Sequence, residues 1–257
     1  MRTLIIFAKV PQPGEVKTRL AAQTPLSPQQ ACALYEAFLK DVVTMAAMTT
    51  AQSVLIHYTP ASGERAMRKI VSSLKLGAHN EKRFGFAPQD GETFTQRISN
   101  SFRLAAKSDD DELVMIGSDS PLLTPEAIDD AFDFIYFRSG MVLGPSGEGG
   151  AYMIGLPSAV KVDFESVFTT GAELENLLEI ARASNMPFKL TAETLDVDVE
   201  EDLVSLLVIV RAMSYERGFS TRLFPTYTHK ALEALNLRVV RDEGGATRGK
   251  SIELAGD

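Results

Sequence analysis

Short apolar runs and longer amphipathic stretches alternate along this chain, and that alternation constrains its fold more than any other feature. Leu4-Ile5-Ile6-Phe7-Ala8 and Leu113-Val114-Met115-Ile116 are apolar at every position, as strands buried on both faces are. Between them Ala31, Leu34, Tyr35, Phe38, Val42 and Met45 recur at helical spacing. Ser27-Pro28-Gln29-Gln30 offers an N-cap, a proline at the first helical position and a glutamine at the third. Strand and helix in turn is the pattern of βαβ units. The expected architecture is α/β: three layers, α/β/α, around a mostly parallel mixed sheet.

The same reading places strands at 3–8, 54–58, 83–87, 113–116, 141–143, 151–155 and 188–190. It places further helices at 63–74, 93–106, 124–137, 173–183 and 202–213, with Thr124 as an N-cap. Beyond residue 214 the pattern weakens to one short helix (230–235), an apolar pair, Val239-Val240, and a loose end (242–250). Charge shifts there too: the tail holds seven basic and six acidic residues, the first 214 residues 19 and 28. Residues 1–214 are therefore read as the functional α/β domain. Residues 215–257 are read as an appendage that covers the site or makes a homodimer contact.

Composition excludes several classes. Hydrophobic residues at 45% and charged residues at 23% are ordinary for a globular chain, not a disordered one. A net charge of −8 lacks the broad positive field of a nucleic-acid binder. The single cysteine, Cys32, rules out an internal disulfide and a cysteine-cluster metal site; its apolar helical context reads as a buried, inert thiol. No stretch approaches the length of a membrane span, and the N-terminal apolar run is too short for a signal segment. The expectation is a cytoplasmic protein whose partners are small molecules.

Ligands of open α/β sheets bind beyond the carboxyl ends of strands, and unusual chemistry follows several of these strands. After the first comes Lys9-Val10-Pro11-Gln12-Pro13-Gly14-Glu15-Val16-Lys17-Thr18-Arg19-Leu20. Proline and glycine fix a turn there. Lys9, Lys17 and Arg19 add positive charge suited to phosphate. Neither the P-loop spacing nor the dinucleotide glycine motif is present. After 113–116 comes Gly117-Ser118-Asp119-Ser120-Pro121, whose carboxylate is placed to hold a hard cation. Gly144-Pro145-Ser146-Gly147-Glu148-Gly149-Gly150 lets backbone approach a ligand closely. Asp196 and Asp198 precede the acids that open the last helix, and Asp119 with Asp198 could form a metal pair across the sheet end. Tyr152 reads equally as a stacking or a core residue. His57, His79 and His229 are isolated and share no motif.

These pieces, in this order and over about residues 1–210, resemble the nucleotide-diphospho-sugar transferase superfamily with its GT-A type fold. More narrowly, the chain resembles the glycosyltransferase-like family associated with radical-SAM and selenodomain genes. The run Lys17-Thr18-Arg19-Leu20 is similar to the Lys-Ser-Arg-Leu of 2-phospholactate guanylyltransferases. Asp119-Ser120-Pro121 is similar to the Asp-x-Pro of molybdenum-cofactor guanylyltransferases. The resemblance implies Lys17, Arg19 and Asp119 as catalytic residues, and Asp119 and Asp198 as ligands of Mg²⁺ or Mn²⁺. It implies substrate contacts from Ala8, Lys9, Pro13, Gly14, Ser118, Glu148, Gly149, Gly150 and Thr169. The chain departs from the family's Asp-Gly-Gly-Tyr, with Glu148-Gly149-Gly150-Ala151, and from its Trp-Ser-Thr, with Phe168-Thr169-Thr170. The implied activity is glycosyl transfer from an NDP-sugar, or nucleotidyl transfer from an NTP to a small phosphorylated acceptor. The alternative is a non-catalytic module that binds a nucleotide or nucleotide-sugar. An oxidoreductase is disfavoured by the missing dinucleotide motif.

Overall fold

The first strand, β1 (Arg2–Lys9), pairs in parallel with β2 (Ser53–Thr59) on one side and β4 (Glu112–Ile116) on the other. A computed structural model describes residues 1–168, 171–241 and 249–255 of the chain. Among these, seven strands form one sheet in the order β3-β2-β1-β4-β6-β5-β7, with β3 at Phe84–Pro88, β5 at Met141–Pro145, β6 at Ala151–Pro157 and β7 at Phe188–Leu190. Only β6 runs antiparallel, between β4 and β5. The sheet is therefore mostly parallel and mixed, as the sequence pattern predicts.

The all-apolar run becomes the central strand. Every residue of β4 is buried, because helices cover both faces. Leu113 and Met115 pack with Ile98 and Phe102 of α5 (Phe94–Ala105) and Leu177 of α8 (Glu173–Ala183). On the other face Val114 and Val142 lie beside Ile135 of α6 (Pro125–Arg138), at the place where Gly155 leaves room. Burying side chains of this size contributes about 1.5–3 kcal/mol each relative to exposure.

Local signals act where they are read. At α2 (Pro28–Ala47) Gln30 N donates to Ser27 Oγ (3.2 Å) and Ser27 N to Gln30 Oε1 (2.9 Å), a reciprocal cap. Thr93 caps α5 in the same way with Gln96. Thr124 occupies the N-cap of α6, but its side chain makes no capping bond. Several elements differ from the sequence reading, which does find α3 (Glu64–Ser73). The loop after β1 ends in a short helix, α1 (Thr18–Gln23), two further short helices, α4 (Ala78–Glu81) and α7 (Phe164–Val167), are present, and the tail contains the hairpin β8 (Leu237–Arg241) and β9 (Lys250–Leu254). The tail helix, α10, spans Thr226–Ala234. Most of the loose end, 242–248, lies outside the described residues.

The chain divides into two compact units, neither continuous in sequence. Unit one is Met1–Val10, Val43–Ser118 and Leu123–Thr194 and contains the large sheet. Unit two is Pro11–Val42, Asp119–Leu122 and Leu195–Asp257. The sequence boundary at 214 cuts the chain once, whereas unit two gathers three separated segments. Its core joins Leu34 and Phe38 of α2, Leu203, Leu207 and Val210 of α9 (Glu200–Glu216), and Leu232, Leu237 and Ile252 of the tail. Ile252 N donates to Glu200 Oε1 (2.8 Å), and Arg211 Nη2 to Leu237 O (2.6 Å). No helix among the described residues is long and apolar enough to cross a membrane.

Candidate functional site

In unit two, the segment that continues β1 closes first into a turn. Glu15 N donates to Gln12 O (3.0 Å), with Pro13 and Gly14 between them and Gly14 at φ +83°. Proline then left-handed glycine is the signature of a type II turn, so the predicted rigid turn forms. Two residues later Lys17 takes φ 50°, ψ 39°, at the N-cap of α1. A left-handed lysine costs roughly 1–2 kcal/mol against the right-handed form. It holds because Lys17 is fixed by burial: its side chain is 3% exposed, and its ammonium lies 5.9 Å from the centroid of Tyr35, which packs with Val16 and Cys32.

Lys17 Nζ is 3.0 Å from Asp119 Oδ2 and 2.8 Å from Asp198 Oδ1. Arg19 Nη2 is 2.6 Å from Asp198 Oδ2, so Asp198 bridges the two cations. Backbone geometry holds the carboxylates in place. Val197 N donates to Asp119 O (3.1 Å), tying the two acidic segments together. Asp198 N and Val199 N donate to Asp202 Oδ2 (2.8 and 2.9 Å), so the first-turn acid of α9 shapes the loop carrying Asp198. Ser120 Oγ reaches Asp196 Oδ1 at 3.4 Å.

Burial alone would lower the Lys17 pKa; Asp119 and Asp198 outweigh it, and the ammonium is held above its ordinary value. Asp196 is pushed up to about 6 by burial first, then by Asp119, with Lys17 opposing. The cluster is thus a buried cation among three carboxylates, two of them partly open: Asp119 is 31% and Asp198 39% exposed.

The structure therefore brings Lys17, Arg19, Asp119 and Asp198 together, with Pro13 and Gly14 in the turn just before them. Ala8, Lys9 and Ser118 belong to unit one, at the ends of β1 and β4. Ala8 O accepts from Gln89 Nε2 (3.0 Å), which also donates to His57 O (3.0 Å). The backbone of Gly147–Gly149 forms a 3-10 turn between β5 and β6, with Gly150 just after it, and Ser146 N donates to Gly150 O (3.0 Å) across its base. Gly149 at φ +78° explains the glycine there. Thr169 lies outside the described residues. Tyr152 is a core residue, with its hydroxyl on Thr191 Oγ1 (2.8 Å) and Ala192 O (3.1 Å). Cys32 is buried, and burial raises its thiol pKa. Among the described residues no group of three or more His, Cys, Asp or Glu is arranged to hold a metal ion.

Two residues escape a sequence reading. Gln89, which clips β1 to β2, carries no local signal. Asp41 does: it falls on the apolar stripe of α2. Its carboxylate accepts from Tyr227 N (3.0 Å) and Thr228 N (2.6 Å), capping α10 from a distance.

Comparison with known proteins agrees with this architecture. A family model described as an uncharacterized protein conserved in bacteria (DUF2064) matches residues 42–170. No curated protein matches the sequence. Among solved structures, a candidate nucleotide-diphospho-sugar transferase from Desulfovibrio desulfuricans G20 aligns with a TM-score of 0.72 and 25% identity, over 91% of this chain and 94% of that one. A cytidylyltransferase from Leptospira borgpetersenii serovar Hardjo-bovis aligns with a TM-score of 0.52 and 12% identity, over 91% and 94%. A CMP:2-keto-3-deoxy-manno-octonic acid synthetase, complexed with CTP, aligns with a TM-score of 0.50 and 11% identity, over 84% and 99%. With half of its length matched by one family and its whole architecture shared with these structures, the chain belongs to the DUF2064 family and has the nucleotide-diphospho-sugar transferase-like fold.

Proposed function

We propose that this protein is a metal-dependent transferase acting on a nucleotide substrate. The observation that carries the proposal is the convergence of Asp119 Oδ2 and Asp198 Oδ1 on one buried cation, beside a second cation, Arg19. Two carboxylates whose side chains are partly open to solvent are the kind of hard donor Mg²⁺ or Mn²⁺ takes, with phosphate oxygens and water completing the shell. The fit is therefore one of chemistry and direction. When bound, the ion would neutralise and orient the phosphates of the substrate.

The remaining roles belong to the chain. Lys17 keeps two carboxylates 181 and 102 residues away in sequence facing one point, and its fixed charge lowers the cost of gathering a phosphate there. Arg19, on the outer side of Asp198, offers a planar fork to phosphate oxygens. Positioning and charge supply most of the catalysis in phosphoryl and glycosyl-phosphate chemistry. The donor is an NDP-sugar or an NTP. The relative at 25% identity supports the first, and the fold shared with cytidylyltransferases supports the second.

Incubation with NTPs and NDP-sugars, with and without Mn²⁺, reads the outcome directly. Pyrophosphate release identifies nucleotidyl transfer, and nucleoside diphosphate release identifies glycosyl transfer. Full metal-dependent turnover by Asp119→Ala would falsify the assignment. Metal-dependent nucleotide binding without any product over a broad acceptor set would favour the binding-module reading, which the altered Glu148-Gly149-Gly150-Ala151 run motivates.

A further inference from the structure

Unit one holds a cavity that none of this chemistry uses. It measures about 390 Å³ and lies between β2, the end of β3 and the outer half of α5. That is the lower part of the size range for small-molecule sites. His57 of β2 stands in its wall and is 1% exposed. Its Nε2 is buried with no hydrogen-bond partner among the described residues, whereas buried polar atoms ordinarily have one. Burial first, then Lys107, push its pKa down to about 4, so the ring is neutral at physiological pH and offers one N–H and one lone pair.

Three charged side chains, Asp90, Arg103 and Lys107, stand in the wall among apolar and neutral ones. Arg103, in the last turn of α5, and Lys107, just beyond the end of that helix, line the same cavity. Arg103 Nη2 donates to Asn100 Oδ1 (3.1 Å) and Lys107 Nζ to Leu104 O (2.9 Å); neither forms an ion pair among the described residues. The one carboxylate of the wall, Asp90, is held by Asn100, whose Nδ2 donates to its backbone oxygen (2.9 Å) and faces its Oδ2 (3.4 Å). Two cations, one anion and a neutral imidazole leave a concave surface with net positive charge in a chain whose net charge is −8. Such a surface concentrates anions. Arginine suits the fork geometry of carboxylate or phosphate oxygens.

We propose that this cavity binds a small molecule through an oxyanion, a phosphate or a carboxylate, with Arg103 and Lys107 as counter-charges and His57 as a neutral polar contact. It shares no residue with the cluster around Lys17, so the two readings stand or fall independently.

The chain has three histidines, so His57 can be followed by ¹H–¹³C NMR of the imidazole, its signal assigned by elimination with His79→Gln and His229→Gln. Inorganic phosphate and acetate serve as probes at constant ionic strength. The expected result is a saturable shift of the His57 signal by one or both, the stronger naming the class. The shift persists in Lys17→Met, which removes the buried cation proposed to gather phosphate in unit two. It needs at least tenfold more ligand in Arg103→Gln/Lys107→Gln, whose exposed positions leave the fold intact. No saturable shift with either probe overturns the proposal. So does a shift that survives unchanged in the double variant.

Discussion

Lys17 and Asp41 are both buried charges of unit two, and they are neutralised by opposite means. Lys17 is met by side-chain carboxylates from two remote segments, Asp119 and Asp198, each itself partly open to solvent. Asp41 is met by backbone amides, Tyr227 N and Thr228 N, in the first turn of α10. A backbone amide has no other task, and the bond holds the tail helix against α2. A carboxylate can exchange one cation for another. The first arrangement suits an ion and a phosphate that come and go, and the second suits a fixed joint.

That contrast can be broken by measurement. The largest expected effect is on turnover: Asp119→Ala or Asp198→Ala should lower metal-dependent kcat on the order of 10³-fold, the scale for losing one preorganised charge contact. Asp41→Ala should leave turnover per folded molecule unchanged. A variant of Asp41 that loses activity at full occupancy of the folded state erases the distinction.

The next effect is on stability against pH. Burial outweighs the amide bonds and raises Asp41 to about 6, from an ordinary 3.8. A carboxyl raised in the fold favours its protonated form. Its contribution is present below about pH 4 and is lost as pH rises through 6. Wild type should therefore lose about 2–3 kcal/mol relative to Asp41→Asn between pH 4 and pH 7. Urea unfolding at intervals across that range reads the gap, and a gap independent of pH sinks the reading.

Lys17→Met should cost about 2 kcal/mol in the same unfolding experiment. Removing one partner of a fully buried pair costs about 3–5 kcal/mol, and the partial exposure of Asp119 and Asp198 reduces that figure. A more stable Lys17→Met would mean that the cost of desolvating the ammonium exceeds what its ion pairs return. The smallest effect belongs to Arg19, whose side chain is 63% exposed. Arg19→Gln should change stability by less than about 0.5 kcal/mol while weakening nucleotide binding, seen as a raised KM.

Legibility followed the range of each interaction. Ser27 and Gln30 are three residues apart and cap each other as their types require. Pro13-Gly14 makes its turn with no outside help. The apolar run ending at Ile116 becomes the central strand because any fold that buries it must cover both faces. α1 escapes because six residues carry too little periodicity. β9 escapes because only Ile252 among its five residues is buried, and its pairing with β8 is not written in its own pattern. Among site residues, the types at 17, 19, 119 and 198 are what suggest the proposed phosphate and metal chemistry. Their mutual arrangement, and the use of Lys17 as a bridge, are not visible along the chain.

The amino-acid order by itself determined the periods, caps and turns, and hence an alternating α/β chain with a cationic segment after its first strand. These rest on contacts within a few residues, where side-chain type and backbone sterics suffice. Only the tertiary structure decided which carboxylates face Lys17, that Asp41 caps a helix 187 residues away, and that His57 closes a charged cavity. Each joins groups remote in sequence, and their distances depend on strand order and helix packing, to which the whole chain contributes at once.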